Sequence, residues 1–250
     1  MLAGYDYAIC PDLEFTGGDP IRNQITSIGL ALLDVNRMKL TDSCRIGDFH
    51  LEPAKTWSSK CRTFWDSVPD MKKIAVRIDA KENTMPLASG IEQMVKQVRQ
   101  WETDLQRLHA PKVIRFCWLT DTVAADVTHL NYSLAFYGYP TLDHFFNDTY
   151  DDVKCTKEYR AQCLGVGFTR DALKNHVLAP KNRNAHDPES DARFIAESML
   201  FYMRVFAQET HKQSRHRKWM RWLILLLLLI ILIFIASTAV LVAAFPTLHL

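Results

Sequence analysis

The chain has 250 residues, 48% of them hydrophobic and 23% charged, with a formal net charge of +2. The charge is uneven: residues 1–208 hold 25 basic and 27 acidic side chains, a net of −2, which excludes a general polyanion binder and restricts any contact with nucleic acid to a local patch or a bound metal. About 210 residues suffice for one domain with a sizeable core, and the six cysteines form no CxxC pair, so a structural zinc site is not expected.

Tyr5 to Cys10 reads as a first strand, with Pro11, which cannot donate to a ladder, marking its frayed end. Asp12 and Glu14 follow with one residue between them; on an extended chain they project side by side, and two adjacent carboxylates repel unless a cation lies between them. Gly17-Gly18-Asp19-Pro20 makes a turn. Gln24–Asp34 reads as a second strand and Cys44–Leu51 as a third, an antiparallel meander.

Residues 52–85 show no clean period, apart from a short helix opening at Thr63-Phe64-Trp65-Asp66. From Pro86 the apolar residues Ile91, Met94, Val95, Val98, Trp101, Leu105 and Leu108 recur at helical steps and predict a helix face on the core. Lys112–Trp118 is a fourth strand, followed by a helix from Asp126 to Tyr137 that Gly138 stops. Asp151–Cys155 is a short fifth strand, and Pro188–Phe206 a last globular helix with Ala192, Ile195, Met199, Tyr202 and Phe206 inward. His186 stands just before that helix, Asp187 suits its cap, and Asp191 lies in its first turn or so.

The tail differs in kind. Leu223–Phe245 contains only Ser237 and Thr238 as polar members and no charge. As a helix it spans roughly 35 Å, enough to cross a bilayer core. Trp219 and Trp222 stand at its entry beside the basic run His211–Arg221, so positive-inside charge places residues 1–210 in the cytoplasm. The expected layout is a catalytic domain over 1–208, a basic linker over 209–222, a lipid-spanning helix over 223–245 and a short tail over 246–250. In that reducing compartment the cysteines are expected as free thiols.

Asp12, Glu14, Asp126, His186 and Asp191 together fit one chemistry. Hydrolysing a phosphodiester needs phosphate charge neutralised, a water activated and a leaving oxygen stabilised; two divalent ions held by carboxylates supply these, and a nearby histidine takes the proton.

In these motifs the sequence resembles the DnaQ-like, or DEDDh, 3′→5′ exonucleases. Their Asp-x-Glu motif with its Thr and Gly turn matches Asp12-Leu13-Glu14-Phe15-Thr16-Gly17. Their helix-opening Asp matches Asp126 after Trp118–Ala125, and their His-x4-Asp-Ala matches His186–Ala192. It looks most like the phage-type (RNase T-like) exoribonucleases, which share a Phe/Trp pair like Phe64-Trp65, a Trp like Trp101, a Trp like Trp118 and an Asp-x-Arg element like Asp152-Val153-Lys154. The resemblance covers about residues 5–205. It implies an α/β, RNase H-like fold, a five-stranded mixed sheet with helices on both faces, and two Mg²⁺ or Mn²⁺ ions. Asp12 would bridge both ions, Glu14 and Asp191 would hold the one carrying the attacking water, Asp126 would serve the second, and His186 would be the general base. Phe15 and Thr16 would contact the terminal nucleotide of a single-stranded RNA or DNA 3′ end. Asp121 is the rival of Asp126, Asp187 of Asp191, and His176 the reserve base. The expected function is a membrane-anchored 3′→5′ exonuclease, RNA being the favoured substrate; a catalytically weak or inactive nucleic-acid binder of the same fold is the second reading.

Overall fold

β1 (Tyr7–Phe15) is the strand on which the sheet is assembled. β2 (Ile25–Asp34) pairs with it antiparallel from Tyr7↔Asp34 to Phe15↔Ile25, and β3 (Lys39–Ile46) pairs antiparallel with β2. On its other side β1 takes β4 (Phe116–Thr120) in parallel, and β4 takes β5 (Val153–Cys155) in parallel. The order β3-β2-β1-β4-β5 is the five-stranded mixed sheet expected of an RNase H-like α/β fold. The computed structural model describes residues 2–146, 153–159, 186–208, 219–220 and 222–224.

All ten residues of β2 are buried, as a strand flanked on both edges and covered on both faces must be. One face is closed by α3 (Leu87–His109), whose Leu87, Ile91, Met94, Val98, Trp101 and Leu105 pack on Ile9, Leu30, Leu32 and Trp118 in the main core. Leu108, expected on that stripe, is 70% exposed, because the stripe runs out with the helix's last turn. α1 (Ser59–Ser67) and α2 (Pro69–Ala80) fill the stretch where the sequence shows no period. Their buried residues, Trp65, Met71, Ala75 and Ile78, form a separate small cluster.

Several boundaries differ from the sequence reading. β3 begins five residues before the expected Cys44, because the β2–β3 turn is tight: Met38 takes a left-handed φ of 49° and the Arg37 N–H donates to Asp34 Oδ1 at 2.8 Å. β4 starts at Phe116 rather than Lys112. The helix expected at Asp126–Tyr137 is two pieces, a π-turn over Val123–Val127 and α4 (Thr128–Phe136). Gly138 ends α4 at φ 79°, with its N–H donating to the Ala135 carbonyl at 3.1 Å and that of Tyr139 to Leu134 at 2.8 Å, a Schellman termination.

The largest correction concerns Pro11. It is not a frayed end: β1 runs on through it to Phe15, with Pro11 buried opposite Leu30. The Tyr7 N–H donates to the Arg115 carbonyl, on the β4 side. By the two-residue alternation of a strand, position 11 faces that side too. The β1–β4 ladder stops at Ile9↔Trp118, so the missing donor falls where pairing has already ended.

The chain divides into two compact units, Met1–Met203 and Arg204–Leu250. In the first, a helix, α5, runs over 188–203 and buries Ala192, Ile195, Met199 and Tyr202. In the second, residues 204–208 are helical and Phe206 is 45% exposed, not inward. Among the described residues no helix is long and apolar enough to cross a membrane. Apart from 223 and 224, the expected span lies outside the described residues, as do Asp151, Asp152 and His176.

Candidate active site

Asp12 and Glu14 lie on one face near the C-terminal end of β1, past the point where β4 leaves the ladder. Asp12 faces Gly29 of β2, and Gly29 faces Arg45 of β3, so Asp12, Gly29 and Arg45 form one row across the sheet. α5 lands on that row. A Cβ at position 29 would overlap the Pro188 carbonyl and the Glu189 amide; only glycine lets the first turn of the helix approach the sheet so closely.

The start of α5 is then locked from both sides. Asp187 is its cap: its Oδ2 accepts from the Ser190 N–H at 3.0 Å and its carbonyl from the Asp191 N–H at 2.9 Å. Arg45 donates to Asp187 Oδ1 at 2.8 Å while also pairing with Asp48, to which Arg77 of α2 donates at 2.7 Å. Ser43 donates to Glu189 at 2.7 Å. His186 stands just before the cap with φ 65°, a conformation costly outside glycine. Its backbone N–H donates to Asp191 Oδ2 at 3.3 Å, and its Nδ1 lies 4.0 Å from Glu14 Oε1. The ligand atoms of Glu14, His186 and Asp191 lie within 4.8 Å of one another.

Asp126 enters from β4. The π-turn places it, buried, beneath its own helix, and Thr120 orients it by donating to Oδ2 at 2.9 Å. Its rival Asp121 is engaged by the Thr122 hydroxyl at 3.0 Å. The effect on Asp12 separates the two. Burial, first, and then the negative charges of Asp126, Asp191, Glu14 and finally Asp121 hold the Asp12 carboxyl well above the ordinary range. Among these charges Asp126 acts most strongly on Asp12 and Asp121 least. The structure thus brings the five expected residues to one mouth, although Asp12 and Asp126 stand outside the tight Glu14–His186–Asp191 group.

The two residues expected to touch a nucleotide differ from each other. Thr16 is fully buried. Its hydroxyl donates to the Thr56 carbonyl and accepts from the Gln24 N–H, both at 2.9 Å, its N–H donates to Gln24, and its carbonyl accepts from Ser58. These polar groups pin the turn after β1 to the start of α1. Phe15 is half-buried, and a register shift between Glu14 and Phe15 turns its ring onto His129, parallel within 6° at 4.8 Å.

Three further residues shape the site. His129 is the backing of Phe15. Burial lowers its basicity, and its Nε2 has no hydrogen-bond partner, so the neutral ring presents a flat face. Its position three residues after Asp126 was the available signal. Phe64, one turn into α1 and 42% exposed, meets the His186 ring edge-on at 5.1 Å. Gly29 had a signal as well, a glycine inside an apolar strand.

This architecture is a fold shared with solved exonuclease structures. No protein-family model and no curated protein matches the sequence, but solved structures do. The nuclease domain of 3′hExo, a DEDDh family member, bound to rAMP, superposes with a TM-score of 0.53 at 15% identity over 81% of this chain and 94% of that one. A 3′-exonuclease in 3′-end-specific recognition of the histone mRNA stem-loop gives 0.55 at 13% identity, over 80% and 82%. E. coli Exonuclease I in complex with a dT13 oligonucleotide gives 0.56 at 12% identity, over 85% of this chain and 44% of that one.

Proposed function

We propose that this chain is a metal-dependent 3′→5′ exonuclease acting on single-stranded nucleic acid, RNA in the first instance, and releasing nucleoside monophosphates. The observation that carries the reading is the convergence of Asp12, Glu14, Asp126 and Asp191, with His186 among them, at the mouth between β1 and β4. An all-oxygen carboxylate set suits hard divalent ions, and a buried Asp12 under the negative charge of four other acids is the environment that such ions relieve. Asp12, Glu14, Asp126 and Asp191 would hold Mg²⁺ or Mn²⁺. When bound, the ions supply charge neutralisation at the phosphate and a more acidic water. His186 takes the proton from that water, its ring steadied by Phe64 and its backbone by Asp191. Phe15 offers its ring to the terminal base.

The decisive experiment follows release of mononucleotides from 5′- and 3′-labelled single-stranded RNA and DNA in Mg²⁺ or Mn²⁺, with Asp12→Ala as control. Stepwise shortening from the 3′ end by wild type only is the expected result. Equal degradation by both proteins sinks the site assignment, and divalent-dependent binding without turnover supports the binder reading.

We further propose that residues 223–245 anchor the chain in a bilayer with the catalytic unit on the cytoplasmic side, on the strength of their length and lack of charge. Tethering raises the concentration of a net −2 domain near a membrane-associated substrate without electrostatic attraction. Full-length protein should stay with membranes through alkaline extraction, and a form ending at Glu209 should not. Equal retention of both removes the anchor from residues 223–245.

A further inference from the structure

α4 carries aromatic residues beyond the one that backs Phe15. His129, Tyr132 and Phe136 follow at steps of three and four, a single stripe on successive turns. Phe136 is 65% exposed, its ring nearly parallel to that of Tyr132 (14°, centroids 6.1 Å apart) and edge-on to Tyr137 at 5.1 Å. The Lys55 ammonium sits 4.8 Å over the Tyr132 ring, held there by the Pro20 and Ile21 carbonyls at 2.8 and 2.9 Å. Tyr137 donates its hydroxyl to Glu52, and burial with that contact keeps it protonated. Glu52, Lys55, Tyr132, Phe136 and Tyr137 line a small trough of about 10 Å³, room for about one water, so a base would lie on the rings and not between them. It starts at Tyr132, one helical turn from the His129–Phe15 stack, and ends at Phe136, about 6 Å further along the helix axis, the length of about two stacked nucleotides.

We propose that this trough is the binding track for the nucleotides that precede the 3′-terminal one, with Tyr132 and Phe136 as stacking platforms and Lys55 as the single phosphate contact. The proposal rests on the exonuclease reading above and adds the route by which a strand leaves the site. The exposed ring of Phe136 and the half-buried ring of Tyr132 accept any base, which suits a strand that must advance one nucleotide per cycle. The ammonium over the first ring adds the positive charge that an apolar protein segment would have to bury at a cost. Glu52 and Asp19 border the same surface, so attraction here comes mainly from stacking and only weakly from charge.

The test uses the full chain in Mg²⁺ and measures binding of a dinucleotide and a hexanucleotide, each with a non-hydrolysable methylene in its last linkage, alongside kcat/KM on the unmodified pair. Wild type should favour the hexanucleotide. Tyr132→Ala and Phe136→Ala should each lower its affinity by roughly fivefold or more; Phe136→Ala should leave dinucleotide binding and turnover unchanged, Tyr132→Ala, at the first platform, should weaken the dinucleotide as well, and Phe136→Trp should keep the preference. Lys55→Gln should reduce the slope of log affinity against log salt by about 0.7. Unchanged hexanucleotide affinity in the Tyr132→Ala/Phe136→Ala double variant overturns the track, as does loss of self-association in place of oligonucleotide binding. The failure of the exonuclease reading looks different: wild type would hydrolyse neither substrate, and the track would still stand or fall on the binding comparison.

Discussion

The two halves of the sheet are built to different ends. The antiparallel half, β1-β2-β3, is laddered along its whole length, with nine pairs between β1 and β2 and seven between β2 and β3. The parallel half, β1-β4-β5, has three pairs at each junction, and the first of these lapses at Ile9. The continuous half fixes where things are. The lapsed half provides the opening, and the acids gather at its C-terminal edge, where open α/β sheets place their ligands. The contacts from Gly29, Ser43 and Arg45 that seat the start of α5 come from the antiparallel half, whereas Asp126 is the contribution of the parallel one.

The largest effect is expected where the halves meet. Asp12→Asn should lower hydrolysis by more than the roughly 100-fold that loss of an outer partner of a metal site can cost, and it should stabilise the metal-free protein. Burial and the surrounding acids raise the Asp12 carboxyl well above its ordinary value. A carboxyl raised in the folded state keeps a proton that the unfolded chain has lost, so its contribution to stability is complete below the unfolded value of about 4 and is lost as pH rises toward the folded one. Metal-free wild type should therefore melt at lower temperature at pH 8 than at pH 5, with a flatter profile for the variant. Mg²⁺ should raise the wild-type melting temperature more at pH 8 than at pH 5. A wild-type profile that is flat without metal would mean that the acids do not strain the fold.

Gly29→Ala attacks the antiparallel half at the point that carries α5. The added methyl overlaps backbone, not a movable side-chain end, so either the helix shifts or the strand does. A cost of about 1–3 kcal/mol in urea unfolding is expected for such overpacking. Because His186 and Asp191 ride on the displaced segment, kcat should fall about 10- to 100-fold. Loss of stability with full activity would show that α5 can move without its acids. Asp187→Ala is milder. It removes the cap and the Arg45 contact at a site about 30% exposed, for about 1 kcal/mol and up to tenfold in rate; Asp187→Asn should recover most of the stability through the cap alone.

How much of this was readable follows from range. Asp12-x-Glu14 and His186-x4-Asp191 are local patterns whose chemistry shows in their spacing, and the helical stripe of α3 is strong because it covers the main core. α1 and α2 were dim because they bury only Trp65, Met71, Ala75 and Ile78, in a satellite cluster. The locks on α5 were invisible: Arg45 meets Asp187 and Ser43 meets Glu189 across more than 140 residues, and no periodicity encodes such a meeting. The bonds of Thr16 were equally out of reach of the sequence: its buried hydroxyl is satisfied by Gln24 and by Thr56, the latter 40 residues away.

Pro11 is the smallest expected effect and the sharpest test of the contrast between the halves. If the proline only marks the point where the parallel ladder ends, Pro11→Ala restores an N–H on the side that β4 has already left and frees the unfolded chain. Stability should fall by about 0.4–1 kcal/mol from the lost φ constraint, somewhat more if the new N–H stays unpaired, and the hydrolysis rate should stay within about threefold of wild type. A rate that rises tenfold or more would mean something else. Restoring the ladder would then bring Asp12 into a better position, the proline would be a brake on catalysis, and the catalytically weak binder would become the better description of the natural chain.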